Sequence, residues 1–572
     1  MRQLRRWSRI CVAFLAFVTA CSSDTTEQSN SDQEPVSSGV TVVVNANVYT
    51  VDANQGWAEA FAYDEAGVII AVGAEADVRA VAGEGPTVID AGDKMVLPGF
   101  QDAHVHVPEA GINAEMCFFP RGLTLSDYEA LAADCDGEQG ESDWVRAAGA
   151  SLFDLRDTDE SPLAVLDRAI PDRPAIVLDD LGHAVWTNTL GLEAAGIRPD
   201  DPDPQGGVFH RDASGHLSGL LLEDAQQLVR NAAAPDDETN YRGLLLAMEE
   251  LAANGVTTVS DAGGYWGQNH PAAWERALAE GTLTVRAANS LYVYPGLPID
   301  EQLAELEARF SNDSDWLRFD TAKVYVDGIL DLGTASLLGP YDVPVDEHYP
   351  SGFNYFTPEQ LSTYVNELHA IGYRISFHVI GDKAVRDALD VIEAIDDNAE
   401  SIADRRHRTT HTYLVHPDDL PRFAEIGVIA DFQQSADAVA TDYHEFLAEF
   451  VGDQAFDLIP TAQLIEANAT VTLSSDWDAG PLPPLGTIER SLTRDANAVP
   501  DLETALAMHT IDAAYALGHH DTTGSIEVGK FADYVVVEHN LFDLDPADID
   551  DTTILFTVVA GTPVHQDLVF TS

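Results

Sequence analysis

Between residues 96 and 474 the chain repeats one alternation: a short run rich in β-branched and apolar residues, then a stretch with helical spacing. Runs at 96–103, 256–260, 284–290, 321–326, 374–377, 408–411, 428–432 and 470–474 read as strands. Intervals such as 241–254, 299–310, 358–371 and 384–395 read as helices. A parallel strand pair needs a long crossover, so strands that alternate with helices predict a parallel sheet. Eight such units predict an α/β fold of the TIM-type (β/α)8 barrel in preference to a doubly wound open sheet.

Two regions depart from the repeat. Residues 107–240 predict a long insertion after the first barrel strand, with strands of its own near 144–148 and 175–178. Residues 40–97 read as short strands and turns (40–44, 48–51, 67–72, 88–89, 94–97), and this style returns near 534–537 and 554–559. Neither terminal piece carries enough apolar area to fold alone. The expectation is one small β domain built from 39–97 and 520–572, flanking a barrel body over 98–519 that includes the insertion.

The first twenty residues read as a targeting segment. Arg2, Arg5, Arg6 and Arg9 precede an apolar stretch over 10–17 that is too short for a permanent membrane span. Val18-Thr19-Ala20-Cys21 then resembles a bacterial lipobox, which implies a lipid on Cys21 and a protein anchored in the cell envelope, outside the cytoplasm. Residues 21–38, free of aromatic side chains, read as a flexible tether. After loss of Cys11 with the signal peptide, Cys117 and Cys135 remain besides Cys21. A disulfide between them and a pair of free buried thiols are both compatible with the sequence.

Charge excludes some partners. The chain has 96 Asp and Glu against 30 Lys and Arg, a net −66, which repels nucleic acid and anionic membrane surfaces. Contact with a membrane is therefore expected only through the lipid anchor. Adaptation to high salt is the reading that gives this excess a purpose. Only Lys94, Lys323, Lys383 and Lys530 survive as lysines, so each calls for a local reason.

The chemistry-bearing residues cluster at predicted strand ends, where barrel enzymes build their sites. His104 and His106 lie two apart on a strand and project to one face, as two ligands of one metal must. Lys323 lies in the fourth strand, His378 follows the fifth, His411 ends the sixth and Asp476 follows the eighth. A single histidine at such a place is more often a packed or surface residue. Six such groups, all on or just after barrel strands, are not expected from packing, and their neutral imidazoles and carboxylate form a ligand set suited to zinc or a related divalent ion.

The phrases around these residues resemble the amidohydrolase superfamily, in the amidohydrolase family 3 type that includes N-substituted formamide deformylases. They are Leu97-Pro98-Gly99-Phe100-Gln101-Asp102-Ala103-His104, Gly182-His183-Ala184-Val185-Trp186-Thr187-Asn188, Gly255-Val256-Thr257-Thr258-Val259-Ser260-Asp261, His378-Val379-Ile380-Gly381-Asp382 and Gly529-Lys530-Phe531-Ala532-Asp533. The resemblance implies that His104 and His106 bind one metal, and that His378 and His411 bind a second or serve the substrate. It also implies that Lys323 is a bridging carboxylated lysine in two-metal members, and that Asp476 is both ligand and proton shuttle. Two departures stand out. Thr410 occupies a position commonly acidic in relatives, and Gln433-Gln434 replaces a common Gln-Pro. Both are expected to face the leaving group or acyl portion of a substrate.

The implied reaction is hydrolysis of a non-peptide C–N bond in a small molecule by metal-activated water. Asp476 moves the proton, and His411 or His378 steadies the oxyanion. His183 and Trp186 of the insertion are expected at the substrate, with a structural role for His183 weighed evenly against that. Hydrolysis of an ester, lactone or cyclic amide is the alternative, and a non-catalytic substrate-binding lipoprotein a more distant one.

Overall fold

The computed structural model describes residues 39–568 and 570, apart from 141, 157, 345–347 and 437. The expected signal peptide, tether and Cys21 lie outside the described residues.

Eight parallel strands form one nearly closed barrel sheet. In chain order they are β1 (Phe100–Val105), β2 (Val256–Asp261), β3 (Arg286–Tyr292), β4 (Leu317–Tyr325), β5 (Arg374–Val379), β6 (Arg408–His411), β7 (Ile429–Gln433) and β8 (Val471–Ser474). Each pairs with the next in parallel register. The seam between β8 and β1 is bridged by the two residues that follow β8. There Asp476 N donates to His104 O (2.9 Å) and Ser475 N to Asp102 Oδ1 (3.2 Å).

Helices cover the outside, as one over Pro358–Ile371 illustrates. Thr357 and Gln360 cap its start reciprocally, and Gly372 ends it. Leu361, Tyr364, Val365 and Leu368 recur at helical spacing and are all buried. Burying each such side chain contributes about 1.5–3 kcal/mol before chain entropy is counted.

The sequence expectation joined 96–103 into one strand, and here the structure differs. The strand Thr87–Pro98 belongs to a separate sheet, while β1 starts at Phe100 in the barrel. Gly99 is the joint. A Cβ there would lie 2.2 Å from the Thr257 side chain, so only glycine lets the chain pass this close to β2 and change sheets.

That separate sheet draws strands from both ends of the chain. Its order is Thr562–Gln566, Ile554–Val559, Tyr534–Val537, Thr87–Pro98, Thr41–Tyr49, Ala60–Tyr63 and Ile69–Gly73. A third sheet lies between β1 and β2 in sequence. It orders Gly207–Arg211, Leu217–Glu223, Ala184–Thr187, Ala175–Asp179, Val145–Ala150 and Cys117–Phe118. Cys117 and Cys135 are disulfide-bonded beside it.

Candidate active site

The groups singled out at strand ends meet at one end of the barrel. One ligand atom each from His104, His106 and Asp476 lies within 4.8 Å of the others. His104 Nε2 is 3.2 Å from Asp476 Oδ1, and His106 Nε2 is 3.4 Å from the same oxygen. His411 Nδ1 reaches to 3.8 Å from Asp476 Oδ2. The His411 ring lies 5.0 Å from that of His104 and 4.4 Å from that of His378. Lys323, fully buried in β4, places Nζ 3.1 Å from His104 Nε2 and 3.3 Å from Nδ1, straddling the two nitrogens.

Backbone geometry helps to aim these side chains. His411, Thr412 and Asp476 hold φ of 69°, 51° and 53°, a region that costs non-glycine residues about 1–3 kcal/mol each. His411 is pinned there by its N–H, which donates to Gln433 Oε1 (3.1 Å). Register pairs Tyr325 with His378, whose rings stack at 4.3 Å, and His378 with Thr410.

Hydrogen bonds fix which nitrogen each imidazole presents. His106 Nδ1 donates to Glu109 Oε2 (2.8 Å), and the buried Glu109 is in turn paired with Arg230. For His104 the partner is Thr410. The Thr410 hydroxyl donates its one hydrogen to Asp431 Oδ2 (3.3 Å) and accepts from Gln433 Nε2 (3.0 Å). Its remaining lone pair accepts from His104 Nδ1 (2.9 Å). Both histidines therefore turn Nε2 toward Asp476.

Electrostatics favour ligands in their binding form. Burial holds the His104 and His378 imidazoles well below their usual range and pushes His411 down to about 3, which favours the neutral, metal-binding form, against the opposing pull of Asp476 on His104 and His411. Burial works against ionised Asp476, but neighbouring His104, His106 and His411 more than offset it and hold the carboxyl well below its usual range. Burial brings Lys323 down to about 7.

Several expectations change. Thr410, Gln433 and Gln434 are fully or almost fully buried. Thr410 and Gln433 brace His104 and His411 from beneath, and Gln434 bonds to Arg494 and Thr461, so these departures serve support instead of reading a substrate. Trp186 likewise packs the core of the third sheet. Its indole N–H donates to Pro162 O and its ring meets Tyr128 edge-on. His183 does reach the site, with its ring 5.1 Å from that of His378. The other three lysines have local partners: Lys94 with Glu538 O, Lys383 with Asp387 and Lys530 with Thr523 O.

Sequence reasoning missed Glu109, Arg230, Glu223 and the bracing role of Thr410. For Glu109 a signal existed, an acid three residues after His106 at the start of a helix (Val107–Asn113). Arg230 and Glu223 arrive from the far side of the insertion and carry no local signature.

Over residues 87–565 the chain matches the amidohydrolase family. It is 28% identical over 553 residues to the N-substituted formamide deformylase of Arthrobacter pascens, covering 91% of this chain and 97% of that one. It is 28% identical over 544 residues to Protein LONG AFTER FAR-RED 3 of Arabidopsis thaliana, covering 92% and 91%. In fold it is similar to an uncharacterized metal-dependent hydrolase from Pyrococcus horikoshii, with TM-score 0.70 and 22% identity, covering 89% of this chain and 98% of that one. A match over most of its length shows that the chain belongs to the amidohydrolase family.

Proposed function

We propose that the protein hydrolyses a non-peptide, amide-type C–N bond of a small molecule, assisted by one or two divalent ions, of which zinc best suits the donors. The observation that carries this reading is the convergence of His104, His106 and Asp476 at one end of the barrel. The donor set fits such an ion: neutral imidazoles and an ionised carboxylate offer nitrogen and oxygen at matched positions. His378 also presents a buried Nδ1 with no hydrogen-bond partner among the described residues.

His104, His106 and Asp476 would hold one ion, with His378, His411 and Lys323 at hand for a second. When bound, the ion supplies Lewis acidity to water and to the scissile carbonyl. Asp476, kept ionised by its neighbours, accepts the proton of the attacking water and passes it to the leaving amine. His411 and His378 face the developing oxyanion. Lys323, near neutrality, holds part of its amine uncharged at neutral pH, and an uncharged amine is the form that takes up CO2 as a carbamate. The Arthrobacter pascens relative, named for deformylation of N-substituted formamides, supports an amide-type substrate.

Asp476→Asn tests the reading, because an amide cannot take the proton. Turnover of a panel of N-acyl amines, formamides and lactones by zinc-loaded protein should vanish while the melting temperature stays near that of the parent. Retained turnover in the variant overturns the assignment. The reading places the mature protein at the envelope through a lipid on Cys21.

A further inference from the structure

We infer that His183 binds the reacting end of the substrate through Nε2, and that Glu223 is the positioning residue that holds it there. This rests on the hydrolase reading above. The pair is a product of strand register. In the third sheet Ala184 faces Leu222, and Glu223 N donates to His183 O (2.8 Å), so the next two residues stand side by side where the ladder ends.

Glu223 is 1% exposed and sits at φ 56°, a conformation that a buried glutamate adopts only under constraint. Its carboxylate accepts from His183 Nδ1 (2.6 Å), Tyr355 Oη (2.5 Å) and Thr334 Oγ1. Thr334 belongs to the segment that follows β4, and Gly328 of the same segment makes room. A Cβ on Gly328 would lie 2.3 Å from Glu223 Oε1. Three side-chain donors on one buried carboxylate make a rigid mount.

With Nδ1 committed to Glu223, the free nitrogen of His183 is Nε2. The ring stands 5.1 Å from His378 and 6.0 Å from Tyr325. The mount thus brings to the border of the site an imidazole whose Nε2 has no hydrogen bond among the described residues, and it comes from the insertion, not from a barrel strand. A salt bridge serving only to fasten the insertion would be complete with His183, Glu223, Tyr355 and Thr334, and would leave kinetics untouched when loosened. A binding role makes the opposite demand.

The test compares zinc-loaded parent, His183→Asn, Glu223→Gln, and Tyr355→Phe, which removes one donor from Glu223 and leaves His183 in place. Measurements are kcat, KM, zinc content and melting temperature on the amide panel. We expect His183→Asn and Glu223→Gln each to lower kcat about 100-fold. KM should stay within about threefold and zinc content should remain at the parent level; Tyr355→Phe should cause a smaller loss of the same kind. Variants that melt earlier but keep parental kcat and KM assign the pair to fastening and overturn the inference, as does a loss of activity that follows zinc content. Should Glu223→Gln fail to fold, His183→Asn and Tyr355→Phe decide. A parent that hydrolyses nothing in the panel removes the hydrolase reading and this inference with it, whereas an active parent with a normal His183→Asn removes the inference alone.

Discussion

Replacing Thr410 by Val removes one hydroxyl at nearly constant shape, and the structure shows which end is left stranded. Asp431 keeps Thr472 Oγ1 (2.7 Å), Ser474 Oγ (2.7 Å) and Gln433 Nε2 (2.9 Å). Gln433 Nε2 keeps Asp431 and Ser474. Only the His104 Nδ1–H loses its acceptor, in a position without access to water. A buried donor without a partner costs about 1–3 kcal/mol. Because 1.4 kcal/mol is a factor of about ten, this corresponds to roughly 5–150-fold weaker metal binding, a span that contains the 10–100-fold typical for partners that orient ligand histidines. Competition of the purified protein against a zinc chelator of known affinity measures it. Thr410→Ser, which restores the hydroxyl, should recover most of the loss. A Thr410→Val protein that binds zinc within threefold of the parent refutes the proposed chain from Asp431 through Thr410 to His104.

Three further outcomes are expected. His407 is held well below the usual imidazole range by burial, then by His369, Arg405 and Arg374. Its stabilising contribution is therefore complete above about pH 6.5 and lost as pH falls toward its folded value, at about 1.4 kcal/mol per pH unit. Urea unfolding at pH 7 and pH 5.5 should show His407→Gln losing about 1 kcal/mol less than the parent over that interval, and equal losses would count against it. A net charge of −66 repels itself, and the screening length falls from about 10 Å at 0.1 M salt to about 3 Å at 1 M, so the melting temperature with saturating zinc should rise over that range. A flat or falling trend removes the high-salt reading. Cys21→Ala should move the protein from membrane to soluble fractions, and unchanged attachment rejects the lipobox.

The barrel was legible because its signal is repetitive. Each strand is a short β-rich run flanked by helix-forming sequence, and the expected positions of β2 to β8 match the observed ones within a few residues. The failure at 96–103 has a physical cause. The apolar run continues across Gly99, and only the approach of Thr257, distant in sequence, forces the change of sheet. Strands of the insertion such as Ala184–Thr187 and Leu217–Glu223 escaped because they pair antiparallel within a region that has no repeat to calibrate against. In the site, histidine and aspartate announced themselves through strand-end position. Their supports did not: Thr410, Glu109 and Glu223 matter through distances of 2.6–2.9 Å that exist only after folding.

The barrel seam has a consequence for synthesis. Asp102 and Ser475, joined across it, are 373 residues apart in the chain, so this contact must await nearly the whole polypeptide. Contacts of such long sequence range are slow to form, because loop closure must precede any gain from them. The carboxylate of Asp476 enters beside His104 only at that step. A nascent or truncated chain ending before residue 476 thus presents His104 and His106 without the carboxylate that completes their cluster, and on the proposed mechanism it has no proton acceptor. On that mechanism the site is completed only when the last barrel strand is in place, and an ion held by His104, His106 and Asp476 would clasp the seam.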